Sequence, residues 1–180
     1  MGWFYTEGLT RAQLVHHLTE PWIGTDDKLH RVSLAHAAVG NTLYVVWEVQ
    51  ETGERWISVN LMRNNGSYGW GYKDMTESMG PTECSCPLKF LDMVAEPNSE
   101  YAKNWRERVR AYHARRNQPL HVGQVIPFPK GTRPPEVTIT SLKPLRGEYH
   151  GVVYSIPRKM LPEPAPGLCG SCKAEAARGA

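Results

Sequence analysis

The 180-residue chain has no apolar run that approaches the roughly 18 residues of a membrane-spanning helix, so none is expected. Cysteine is scarce: four residues, in two close pairs, Cys84/Cys86 and Cys169/Cys172. The opening Met1-Gly2-Trp3 lacks the basic region and apolar stretch of a secretory signal. Without such a signal, the close pairs read as metal or thiol chemistry before disulfides. There is no phosphate loop, no Ser-His-Asp order and no His-Glu-x-x-His helix, so the commonest nucleotide, acyl-transfer and zinc-protease chemistries have no carrier. Internal repeats are absent too. What is there is ordinary globular material: 41% apolar and 22% charged residues, enough to bury a core. The length suits one domain, with or without a small satellite.

Charge is uneven. Residues 1–100 carry 7 Lys/Arg against 13 Asp/Glu, and residues 101–180 carry 14 against 5. Such asymmetry points to a partner that reads charge, nucleic acid or an acidic protein surface, or else to a solvated basic helix. The sequence pI of about 8.7 falls short of the value near 9 that marks many nucleic-acid-binding domains.

Thr10-Arg11-Ala12-Gln13 matches a capping box and predicts a short helix over 11–19, ending before Pro21. His16 and His17 lie about 100° apart on it and do not readily share a metal. A run of alternating segments follows: Val32 to Ala38, Leu43 to Val49, Ile57 to Leu61, then Ser67 to Lys73. They are punctuated by Gly40-Asn41, Thr52-Gly53 and Asn65-Gly66. This predicts a four-stranded antiparallel meander over 31–73, with His36 on an apolar face as a satisfied core histidine. Tyr68, Trp70 and Tyr72 would share one face of the fourth strand, where they either stack bases or pack beneath helices.

Two helices are expected next, over 87–96 behind Pro87 and over 99–116. On the second, Tyr101, Trp105, Val109 and Tyr112 form the apolar stripe. Lys103, Arg106, Arg110 and Arg115 form a basic face that is either solvated or a contact for a partner. Residues 118–160 read as a small β subdomain, barrel-like, and 161–180 as a Pro-rich linker with a flexible Cys-containing tail. The fold class is therefore α+β, with the meander packed on two or three helices.

Three chemical sites are candidates. Cys84, Cys86, Cys169 and Cys172 could supply four thiolates to one zinc, although Cys-x-Cys is a poor half-site. Cys86, at a helix N-terminus, could be an activated nucleophile if a base stood beside it. Lys73, Asp74 and Glu77 could do acid–base work, as a small hydrolase or transferase would need, or could tie down a loop.

The block Gly71-Tyr72-Lys73-Asp74-Met75, with Glu77-Ser78-Met79-Gly80-Pro81 and Cys86-Pro87, carries a resemblance, as does the opening Met1-Gly2-Trp3-Phe4. It resembles a family of small uncharacterised proteins carried by bacteriophages, prophages and plasmids. What the resemblance implies is a cytoplasmic mobile-element accessory protein in a bacterial host. Its expected role is non-enzymatic binding of a host protein or nucleoprotein, directed against host defence. The alternatives from the residues are nucleic-acid binding through the aromatic strand and basic helix, and the small enzyme above.

Overall fold

The computed structural model describes residues 2–162. Strands and helices are both present, so the chain is α+β. Among the described residues no helix is long and apolar enough to cross a membrane. The chain divides into two compact units between Val109 and Arg110, earlier than the boundary after residue 117 that composition suggests.

The first unit is built on a six-stranded antiparallel sheet. Its strands are β1 (Phe4–Tyr5), β2 (Trp22–Ile23), β3 (His30–Val39), β4 (Thr42–Val49), β5 (Arg55–Asn64) and β6 (Trp70–Thr76), in the order β1-β6-β5-β4-β3-β2. The two-residue strands β1 and β2 carry no periodic signal and extend the sheet at its two edges. Alternation along β4 and β5 gives the sheet two buried faces. On one, Tyr44, Val46, Ile57 and Val59 pack with Cys86, Phe90, Val94, Trp105 and Val109. These come from helices α2 (Leu88–Leu91) and α3 (Glu100–Asn117) and the chain around them. On the other, Leu43, Val45, Trp47 and Met62 close around Leu14 of helix α1 (Arg11–His17). Leu14 is fully buried, which contributes about 1.5–3 kcal/mol. The Thr10 capping box starts α1: the Thr10 hydroxyl accepts from Gln13 N, and the Gln13 side chain accepts from Thr10 N.

Four expectations need correction. The strand register shifts between Ser33 and Ala35, so a bulge at Leu34 inverts the alternation. Ala35 and Ala37 then pack toward the α3 side, and His36 is exposed instead of a core residue. Tyr68 leaves the fourth strand: Gly66–Tyr68 form a 3-10 turn, and Gly69, at φ 72°, breaks the extended backbone before Trp70. Helix α2 spans four residues and is capped at Asp92, well short of Pro97. On α3 the buried stripe is Ala102, Trp105, Arg106 and Val109, while Tyr101 is 71% exposed.

The second unit holds a four-stranded antiparallel sheet: β7 (Val125–Pro127), β8 (Glu136–Leu142), β9 (Leu145–Tyr149) and β10 (Val152–Ser155), in the order β10-β9-β8-β7. The sheet is open, with β7 and β10 at its edges, rather than closed as a barrel. Its core is Ile126, Val137, Ile139, Leu145, Ile156 and Leu161.

Candidate functional site

Residues directly opposite in an antiparallel pair point to the same face. Trp47 faces Trp56, Val45 faces Ser58 and Leu43 faces Asn60 across β4 and β5. Ser58 faces Thr76, Asn60 faces Asp74 and Met62 faces Tyr72 across β5 and β6. One sheet face therefore changes along its length, from the apolar floor under α1 to a polar patch walled by rings. Over that patch lies a pocket of about 320 Å³. Ser58, Asn60, Asp74 and Thr76 supply its polar lining, and Trp47, Trp56 and Tyr72 its walls. The rim comes from the end of α1, the turn after it and the start of β2, namely His17, Leu18, Glu20, Pro21 and Trp22.

The floor is organised. Ser58 and Asn60 are 5% and 3% exposed. Ser58 Oγ accepts from Trp47 Nε1 at 3.1 Å and from Asn60 Nδ2 at 3.0 Å. Both its lone pairs are then used, and its hydroxyl hydrogen is left as a donor. Trp47 and Trp56 stack at 6.5 Å between centroids, and Trp22 meets Trp47 edge-on at 6.3 Å. Asp74 is exposed to the pocket, but the surrounding protein partly strips its carboxyl of water and raises its pKa. Burial, and then the nearby Asp74 charge, raise the Tyr72 hydroxyl pKa as well. Glu20 at the rim lies 3.2 Å from His16 and 3.9 Å from His17.

The trio Lys73, Asp74 and Glu77 is not brought together. Lys73 and Asp74 are consecutive in β6, so they point to opposite faces. Glu77 lies in a 3-10 turn (Glu77–Met79), where it binds Arg106 through two bonds. Arg106 Nε donates to Glu77 Oε2 at 2.7 Å, and Arg106 Nη2 to Oε1 at 2.8 Å. Arg106 is 2% exposed. A carboxylate held in a buried bidentate pair is committed to structure.

Cys86 is fully buried, and burial first, then the Glu77 charge, pushes its thiol up to about 12. The short α2 starts beyond it, so the activated-nucleophile reading is corrected: the thiol stays protonated near neutral pH. Cys84 is half-buried, and its Sγ donates to Thr82 O. Cys169 and Cys172 lie outside the described residues, so the four-thiolate zinc site does too. Among the described residues no group of three or more His, Cys, Asp or Glu is placed to hold a metal.

The basic face of α3 is largely engaged within the protein. Beside Arg106, Lys103 pairs with Glu100 at 2.8 Å, Arg108 donates to Pro81 O, and Arg116 donates to Tyr112 Oη. Arg110 and Arg115 also make interactions. The aromatic platform is engaged as well. Tyr72 stacks on Phe4 at 5.5 Å, Tyr68 packs 6.0 Å from Tyr5, and Trp70 joins the core under α1.

A family model described as a domain of unknown function (DUF6927) matches residues 96–141. That segment covers α3, β7 and most of β8, and it contains none of the pocket residues. No curated protein and no solved structure matches the chain. The pocket's own constellation, Trp47, Trp56, Ser58 and Asn60, escaped the sequence reading. The available signal was the polar pair Ser58 and Asn60, set between Trp56 and Met62 on one face of an otherwise apolar strand.

Proposed function

We propose that the protein is a non-enzymatic binding protein. It captures a small ligand, or a group presented by a host partner, in the pocket on the sheet face beside α1. One observation carries the reading. Ser58 and Asn60 are polar, buried and next to the apolar cluster of Leu43, Val45 and Met62, yet they open into a pocket instead of completing that core. Their burial is tolerated because Ser58 Oγ accepts from both Trp47 Nε1 and Asn60 Nδ2, which fixes the polar floor in place at the edge of the apolar core. Aromatic walls around a few fixed polar groups are the usual make-up of a ligand pocket, and the volume sits at the lower end of the usual range of about 300–1,000 Å³.

Binding is favoured over chemistry because the reactive groups are committed elsewhere. Glu77 holds Arg106, Lys73 points away from Asp74, and Cys86 is buried as a thiol. The mobile-element role against a host component is compatible with such a pocket, which takes a protruding group of a partner. The test is a fragment screen followed by amide NMR. Bound fragments should move the indole N–H signals of Trp47 and Trp56, and Ser58→Val should remove the effect while the far-ultraviolet spectrum is kept. A screen with no hit mapping to these indoles would refute the reading.

A further inference from the structure

We propose that the guest of this pocket is an organic cation, a quaternary or protonated alkylammonium group, held between indole faces with Asp74 as counter-ion. This rests on the pocket being a binding site, as argued above, and specifies what it binds.

The first argument is charge. Two carboxylates, Asp74 and Glu20, line the pocket, and no Lys or Arg does. Asp74 makes no ion pair with any described residue, since its neighbour Lys73 projects from the other face. A carboxylate that has lost part of its water without gaining a cation is a standing cost, and a guest cation relieves it. An anionic guest would meet the opposite situation.

The second argument is the walls. Trp22, Trp47, Trp56 and Tyr72 give four aromatic rings around one volume. Ring faces carry negative quadrupole potential, and indole attracts cations best. The same neighbourhood already holds a cation in this way: the Arg31 guanidinium lies 4.5 Å from the Trp22 ring centroid. Trp22 is 46% exposed and stands at the rim, so a guest would bury it further.

The third argument is the floor. The Ser58 hydroxyl hydrogen, left over after two acceptances, is a single donor on the same pocket floor as the carboxylate, one cross-strand pair away. It suits a hydroxyl or carbonyl oxygen a few bonds from the charged nitrogen.

The full chain is titrated with choline, with its neutral isostere 3,3-dimethylbutan-1-ol, with a peptide carrying Nε-trimethyllysine and with adenosine. Tryptophan emission and the three indole N–H signals are followed. Choline or the peptide is expected to saturate the shifts, with the isostere weaker by about tenfold or more. Asp74→Asn should abolish that preference without lowering the melting temperature. The two cationic probes distinguish a free metabolite from a side chain on a partner.

Cation affinity should also rise with pH through the raised Asp74 titration. Glu20 and His17 on the α1 side and Tyr72 on β6 are the other ionisable groups facing it. Asp74→Asn removes the Asp74 part of that dependence and so isolates it. Equal binding of choline and the isostere, or binding of adenosine alone at these indoles, overturns the cation while leaving the pocket reading intact. No probe or fragment reaching the indoles overturns both.

Discussion

A guanidinium enclosed by protein needs its partner more than its partner needs the fold. Arg106 sits at a position of α3 where helical spacing calls for an apolar side chain, between Trp105 and Val109. It is tolerated because Glu77 meets it with both oxygens, and the pair shares the interior with Cys86, which senses both charges. Arg106 Nη1 is buried with no hydrogen-bond partner, so the guanidinium is not over-satisfied. Removing one member should therefore cost far more than replacing both. Glu77→Gln or Arg106→Met is expected to lower unfolding stability by about 3–5 kcal/mol, and Glu77→Leu with Arg106→Met together by much less. Urea denaturation of the three variants checks this; similar losses for single and double variants would show that the pair contributes little beyond volume. The sequence makes Arg106 look like part of a basic face because it stands among other basic residues. Only the partner 29 residues earlier distinguishes it, and a one-dimensional pattern does not reveal that partner.

At the level of elements, what could be read locally is what local chemistry decides. The Thr10 capping box and the Gly40-Asn41 turn between β3 and β4 depend on neighbours within a few residues, and both are legible. The Leu34 bulge, the shortened α2 and the edge strands β1 and β2 depend on pairing across the sheet, and they are not. Gly71 belongs to this second kind. It looks like a weak point in an aromatic strand, but in the sheet it faces Tyr5 of β1. A Cβ added there would lie 2.5 Å from the Tyr5 ring and 2.6 Å from Phe4 O. The missing side chain is what lets β1 approach, and with it Phe4, which covers Tyr72 at the sheet edge. Gly71→Ala should displace β1 and cost about 1–3 kcal/mol, the usual range for overpacking. Amide exchange at Phe4 and Tyr5 reads the displacement directly, and unchanged protection there would mean that the edge adapts without leaving the sheet. The candidate pocket follows the same logic. Asp74 was visible in the sequence, but its companions Ser58 and Asn60 are 16 and 14 residues away and join it only through the register of β5 and β6.

For the whole molecule, the uneven charge was the feature of the sequence most suggestive of a nucleic-acid partner, and it is where the structure changes the argument. Phosphate binding releases counterions in proportion to the number of cations that reach the backbone, so what counts is available cations, not formal charge. Of the basic residues expected on α3, Arg106 is enclosed, Lys103 lies on Glu100, and Arg110 and Arg115 make interactions within the protein; their neighbours Arg108 and Arg116 lie on the carbonyl of Pro81 and against Tyr112. An incoming phosphate would have to replace these contacts one by one. The aromatic rings that might stack bases are not an open platform either: Tyr72 has Phe4 against it and otherwise lines the pocket, and Trp70 packs in the core under α1. Fluorescence polarisation with labelled single-stranded DNA, duplex DNA and RNA should therefore give weak binding. The slope of log K against log salt should stay below about 2, against the 6 or more of proteins that make many phosphate contacts. A steep slope that falls by about one for each of Arg110→Ala and Arg115→Ala would return the helix to first place and make the acidic pocket on the sheet face a secondary feature.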